Sequence, residues 1–238
     1  MSEISNISYL KFLKKSGINT FLQNKPNNFY TFNSKKKNLS ISKKINEISS
    51  IEELEIFIKE SSNCNLKKNA RNTVIGDGNK KANIMLIGEA PGAEEDKMGR
   101  PFVGAAGQLL DKMLTAIKLD RKDVYITNVV PWRPPNNRTP SNEEVLQCLP
   151  FLQRHIELIN PYFILLLGAT AAKAILTTHL SISKLRKNWH DYNTLNLKKS
   201  IKCLVTYHPA FLLRSPNFKK QSWEDLQILQ KKIVDENL

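Results

Sequence analysis

Cysteine is scarce in this chain: Cys64, Cys148 and Cys203 are the only three among 238 residues. Three thiols build no disulfide framework, and reduced cysteines in a cytoplasmic protein are the expectation. Long apolar runs are also missing. The longest, residues 163–176, is broken by Gly168 and Lys173 and is too short to cross a bilayer. The opening residues, MSEISNISYLKFLKK, lack the apolar core and cleavage site of a signal peptide. No membrane partner is therefore expected. Neither a GxGxxG fingerprint nor a Walker phosphate loop occurs, which argues against a nucleotide-binding α/β protein. Acidic side chains are in deficit, with 22 Asp and Glu against 36 Lys and Arg, for a formal net charge of +14. Such a surplus suits a polyanionic partner, nucleic acid above all. In a chain rich in Lys, Asn and Ile it equally fits a solvated surface, so charge alone leaves both readings open.

What is present reads as a globular protein, 41% hydrophobic and 24% charged. Residues 1–45 stand apart as a basic, partly disordered extension: Ile7, Leu10 and Leu13 line a short helical face, and a stretch of Asn, Lys and Ser follows. Residues 46–238 form the main domain. Ser50 and Glu53 make a capping-box pattern ahead of an apolar face of Ile51, Leu54 and Ile58. Four short apolar runs, residues 83–88, 124–130, 162–168 and 201–207, read as strands buried on both faces. Helical patterns lie between and after them: Leu109 to Ile117, a helix capped by Ser141 and Glu144 with Pro150 expected to kink it, residues 169–176, and a last helix from Ser222. Alternating strands and helices predict a three-layer α/β/α sandwich around a four-stranded, mainly parallel sheet.

Three motifs fall where three of those strands end. They are GEAPGAEED with GRPFVG behind it (residues 88–104), TNVVPWRPPNNR (127–138) and YHPAFLLRSP (207–216). In an open α/β sheet ligands bind at the carboxyl ends of strands, so these distant segments become neighbours and could surround a single base.

Together, in this order and spacing, the motifs resemble those of the family 4 uracil-DNA glycosylases, from about Ser50 to the C-terminus. The resemblance implies an α/β/α fold and hydrolysis of the bond between uracil and deoxyribose, leaving an abasic site for base excision repair. The implied partner is uracil-containing DNA, single- or double-stranded, bound by a monomer. An enzyme acting on a base within a duplex must extrude it into a pocket. Asn128 matches the asparagine that reads uracil; its amide accepts from N3–H and donates to O4, and cytosine presents the opposite pattern. Phe102 matches the aromatic ring that stacks on the flipped base, and Ala90 lies beside it in the uracil-binding set. His208 matches the histidine that donates to uracil O2 as negative charge develops there. Glu89 matches the residue associated with water and the uracil edge. Glu95 matches one at the pocket wall, where bulk could exclude the thymine methyl; it could instead decorate a helix start.

The best-known uracil-DNA glycosylases carry a water-activating Asp where this chain has Ala90. Asn137 is the remaining water-orienting candidate, and the preceding Asn136 replaces a glycine of the family pattern. Leu212 or Leu213 would wedge into the space left by the base. Arg214, Lys219 and Lys220 would contact phosphates. Taken alone, Asn128 could be a strand-end cap, Phe102 and the leucines core residues, and His208 a partner of local backbone.

Family members hold a 4Fe–4S cluster on four cysteines. The matching positions here are Ser61, Cys64, Trp132 and Cys148. Only two are cysteine, so no cofactor is expected and Trp132 should fill the volume by packing; a retained cluster is the alternative. With those ligands missing, the competing function is a catalytically weak protein that binds uracil or damaged DNA.

Overall fold

The computed structural model describes residues 44–238. The extension read over residues 1–45 lies, but for its last two residues, outside that range. Ahead of the sheet lies α1 (Ile51–Glu60), where Ser50 Oγ accepts from the Glu53 amide at 3.2 Å. The sheet strands are β1 (Gly76–Gly78), β2 (Ile84–Gly88), β3 (Val124–Asn128), β4 (Phe163–Leu167), β5 (His190–Tyr192) and β6 (Ile201–Thr206). Between them run α2 (Ala93–Met98), α3 (Ala105–Ala116), α4 (Asn142–Ile159), α5 (Ala169–Leu176) and α6 (Ile182–Leu185); α7 (Pro209–Arg214) and α8 (Lys219–Asp235) follow β6.

The sheet order is β1-β3-β2-β4-β6-β5. Its four inner strands are parallel, and both edges are antiparallel. This corrects the four-stranded expectation: the central sheet is six-stranded and mixed. The edge strands GDG and HDY are three residues each. They carry no apolar run or alternation of their own. Their conformation comes from pairing, Gly76 opposite Thr127 and His190 opposite Cys203, and no local pattern announces that. The inner strands behave as parallel strands should, with every residue of β2, β3 and β4 buried.

Side chains alternate between two layers. Ile84, Leu86, Val124, Ile126, Leu165 and Leu204 pack with Leu110 and Leu114 of α3, Leu212 of α7 and Leu226 and Leu229 of α8. On the other face Tyr125 meets His155 of α4, whose ring nitrogen lies 2.8 Å from the tyrosine hydroxyl. Helix α4 is capped reciprocally by Ser141 and Glu144, and runs on through Pro150.

From β2 the chain first steps outward to β3, then crosses back over to β4 on the opposite side. With right-handed crossovers, helices after β2 and after β4 must lie on opposite faces. A crevice opens between the carboxyl ends of these two strands.

The last strand is anchored by a buried ion pair. Arg186, 6% exposed, donates through Nε to Asp225 Oδ2 at 2.7 Å; the Asp225 side chain is 0% exposed. Thr206 Oγ1 donates to the same oxygen at 2.8 Å, and the guanidinium lies 4.9 Å from the centroid of the Tyr207 ring. Replacing Asp225 by Ala strands a charge in the interior, and urea unfolding should show a loss of about 3–5 kcal/mol; an unchanged midpoint would mean that the pair is not what holds β6.

Candidate active site

A cleft of about 560 Å³ sits at the carboxyl ends of the parallel strands. Glu89 and Ala90 enter it after β2, Asn128 ends β3, Gly168 and Ala169 follow β4, and Tyr207 and His208 follow β6. Ladder hydrogen bonds continue just beyond the strands and set these positions. Val129 N donates to Gly88 O at 3.0 Å, Val130 N to Glu89 O at 3.1 Å, and Gly168 N to Thr206 O at 2.9 Å.

Asn128 is 5% exposed, and its Oδ1 has no hydrogen-bond donor among the described residues. A buried, unmet amide oxygen is costly. Here it lines a cavity, where a ligand N–H can meet it. Gly88 makes room for this group: a Cβ there would lie 2.4 Å from Asn128 Oδ1 and 2.5 Å from Phe102 Cζ. No side chain larger than hydrogen fits between the amide and the ring.

Phe102 adopts a φ of 53°, a conformation that costs a bulky residue about 1–3 kcal/mol. The surroundings hold it there. Glu95 Oε1 accepts from the amides of Val103 and Gly104 at 2.9 and 2.8 Å, and its Oε2 accepts from the Gly92 amide at 3.1 Å. Arg121 donates to the Phe102 carbonyl and is itself held by Asp77 and Asp111, at 2.8 and 2.7 Å. Glu95 thus lines the cleft while its carboxylate closes both ends of the loop carrying the ring.

His208 caps α7. Its Nδ1 accepts from the Ala210 amide at 3.1 Å, so the neutral ring carries its proton on Nε2. Burial pulls its pKa down to about 4; the Arg214 charge adds to that and Glu95 opposes it. The ring packs 5.6 Å from the Phe102 ring, tilted by 30°. Gly168, at φ 95°, allows this approach, since a Cβ would lie 2.9 Å from His208 Cβ. The arrangement supplies an uncharged N–H donor beside an aromatic surface.

Glu89 accepts a hydrogen bond from Thr170 Oγ1, across the crevice between β2 and β4. Asn137 stands at the rim with φ 54°, its Oδ1 accepting from Arg133 Nε at 2.7 Å. Asn136 also has positive φ, 55°, the conformation that asparagine tolerates best among non-glycine residues. Arg214 lines the cleft. Leu212 is 1% exposed, within the core, whereas Leu213 is 43% exposed. Lys219 and Lys220 are exposed in the first turn of α8, outside the cleft lining.

The fold therefore brings Glu89, Ala90, Glu95, Phe102, Asn128, Asn137, His208 and Arg214 to one cavity. The leucines and the two lysines stay apart from it. Sequence reasoning missed Thr170 and Arg121 as supports. Thr170 lies in the turn after β4 and Arg121 before β3, and neither belongs to the three motifs. The apolar wall of Tyr207 and Phe211, stacked at 5.3 Å, was within reach, because both flank His208 in its own motif.

The four cluster positions are also placed. Cys64 and Cys148 are buried; the neighbouring Cys64 thiol and burial push the Cys148 thiol up, while Cys148 draws Cys64 down to about 7. Trp132 is 1% exposed, with Nε1 donating to Thr73 Oγ1 at 3.0 Å. Ser61 caps the end of α1 and its Oγ accepts from the Asn63 amide at 3.3 Å. Cys203 lies on β6. Among the described residues no three His, Cys, Asp or Glu converge as metal ligands. Two thiols, a hydroxyl and an indole do not fit a four-thiolate cluster.

The histidine geometry has a pH consequence. Its folded pKa lies below the ordinary 6.5, so it contributes stability that is present above pH 6.5 and lost as pH falls towards 4. NMR of the ring should give a midpoint near 4, with Nε2 protonated at neutrality. A midpoint near 6.5 would mean that the ring is solvated and charged by mild acid.

Known proteins are similar to this chain in sequence. The profile of the uracil DNA glycosylase superfamily matches residues 75–227. The type-4 uracil-DNA glycosylase of Pyrobaculum aerophilum is 42% identical over 181 residues, covering 74% of this chain and 91% of that protein. That of Thermotoga maritima is 48% identical over 159 residues, 66% of this chain and 80% of its own length. A type-5 uracil-DNA glycosylase of Pyrobaculum aerophilum is more distant, 30% identical over 148 residues, 56% of this chain and 63% of that protein. With the match spanning every strand-end motif, the chain belongs to the type-4 uracil-DNA glycosylases of the uracil-DNA glycosylase superfamily.

Proposed function

We propose that this protein hydrolyses the N-glycosidic bond of uracil in DNA and leaves an abasic site, the opening step of base excision repair. The observation that carries the reading is the unmet, buried Oδ1 of Asn128 in a cavity shared with Phe102, Glu89 and His208. Uracil satisfies it through N3–H, while the Asn128 amide N–H donates to O4. Cytosine offers an unprotonated N3 and an amino group at those places, so it would leave an acceptor facing an acceptor and a donor facing a donor.

The extruded base stacks on Phe102, against Ala90, with Glu95 fixing the loop that presents the ring. As the C1′–N1 bond breaks, its electron pair leaves with the base and charge accumulates at O2. The Nε2–H of His208 is the donor for that charge. It works as a neutral hydrogen bond, since the ring resists protonation down to about pH 4. Glu89, held by Thr170, faces the electron-poor sugar and orients the water, with Asn137 at the rim as second contact. Water oxygen bonds to C1′, and its proton passes to Glu89 and then to solvent.

Leu213, exposed where Leu212 is not, is the side chain available to fill the gap in the stack. Arg214, Lys219 and Lys220 provide phosphate contacts. Substrate is uracil-containing DNA in single- or double-stranded form, the acting species is the monomer, and the location is cytoplasmic. Among the described residues no helix is long and apolar enough to cross a membrane. Residues 46–238 act as the catalytic domain, with residues 1–45 as an appended extension.

A uracil-containing oligonucleotide, incubated with protein and then cleaved by alkali at abasic sites, tests the reading. His208→Ala should slow single-turnover release by about 10²–10³-fold, and Asn128→Ala should slow release and weaken binding of the uracil strand. Retention of the oligonucleotide without cleavage by the unmodified protein would favour a binding protein over an enzyme, and full activity in both variants would remove the mechanism.

A further inference from the structure

Four positions are expected to carry the family's cluster, and they lie on three segments: Ser61 and Cys64 after α1, Trp132 in the loop after β3, and Cys148 on α4. Packing joins those same segments here. Trp132 is the largest fully buried side chain among the described residues. Its indole meets the edge of Phe151 on α4, with centroids 6.2 Å apart and planes at 82°; Phe151 in turn meets Phe57 of α1 at 6.2 Å and 67°. The indole N–H is satisfied by Thr73, and the neighbouring Pro131 carbonyl accepts from the Val74 amide at 2.8 Å. Cys64 and Cys148, 1% and 0% exposed, are buried free thiols on two of the same segments.

We propose that this aromatic and dithiol plug takes over the tethering that four cysteines around a cluster would supply, so that the chain folds and keeps its site without iron. Trp132 is then a structural tether. It lies on the loop that runs from Asn128, the last residue of β3, to Asn137 at the cleft rim. An indole ring stands at the place of one ligand and a helix cap at another, so two of four thiolates are missing. The inference concerns iron content and packing, and stands independently of whether uracil is the substrate.

The test uses the full chain, purified anaerobically from iron-replete cells and then incubated with ferrous iron, sulfide and thiol. Iron far below one atom per chain, no broad absorbance near roughly 400 nm and a melting temperature insensitive to chelator are expected. Iron approaching about four atoms per chain that vanishes in Cys64→Ala and Cys148→Ala would overturn the proposal. Iron that persists in those variants is surface-bound and upholds it. Trp132→Phe should keep most of the melting temperature, whereas Trp132→Ala should lower it by about 10 °C. Equal melting of the Trp132→Ala variant and the unmodified chain would also overturn it, because the indole would then tether nothing.

Discussion

A buried amide oxygen without a partner is the constraint around which this site is organised. Leaving such a group unmet costs about 1–3 kcal/mol, and this one lines a cavity where a ligand N–H can meet it. Asn128 ends a strand buried along its whole length. Its neighbour across the ladder, Gly88, has no side chain, and Phe102 is held in a left-handed conformation to stand on the other side. Glu95 and Arg121 stabilise that conformation through the backbone at residues 102–104. Each of these is explained by the need to present one amide and one ring to a flat, polar-edged ligand.

The imidazole follows the same logic from the opposite side. The cap on α7 fixes which nitrogen carries the proton, and desolvation keeps the ring uncharged. In the proposed reaction such a neutral donor stabilises the departing anion by a hydrogen bond alone, with no proton transferred. Behind it, the Arg186–Asp225 pair holds the end of β6, so the donor rests on a rigid element.

The four inner strands were legible because parallel strands covered on both faces must be continuous apolar runs. The two edge strands were not, since GDG and HDY owe their conformation to partners far away in sequence. The family was legible from three motifs, each at a strand end, where function concentrates in this architecture. Residues that act through others escaped: Thr170 touches Glu89 and Arg121 touches Phe102 only after folding. For Glu95, two readings that the sequence held apart, pocket wall and helix start, coexist in space. The carboxylate lines the cleft and accepts from Gly92 at the start of α2.

The central claim is that Asn128 Oδ1 waits for the N3–H of uracil. Single-turnover release of uracil and of 3-methyluracil from otherwise identical oligonucleotides addresses it directly, because the methyl group removes that one donor. The account predicts that uracil leaves faster by about 10⁴-fold, the discrimination expected when a site built for a hydrogen bond loses its partner. Equal rates for the two bases would contradict it.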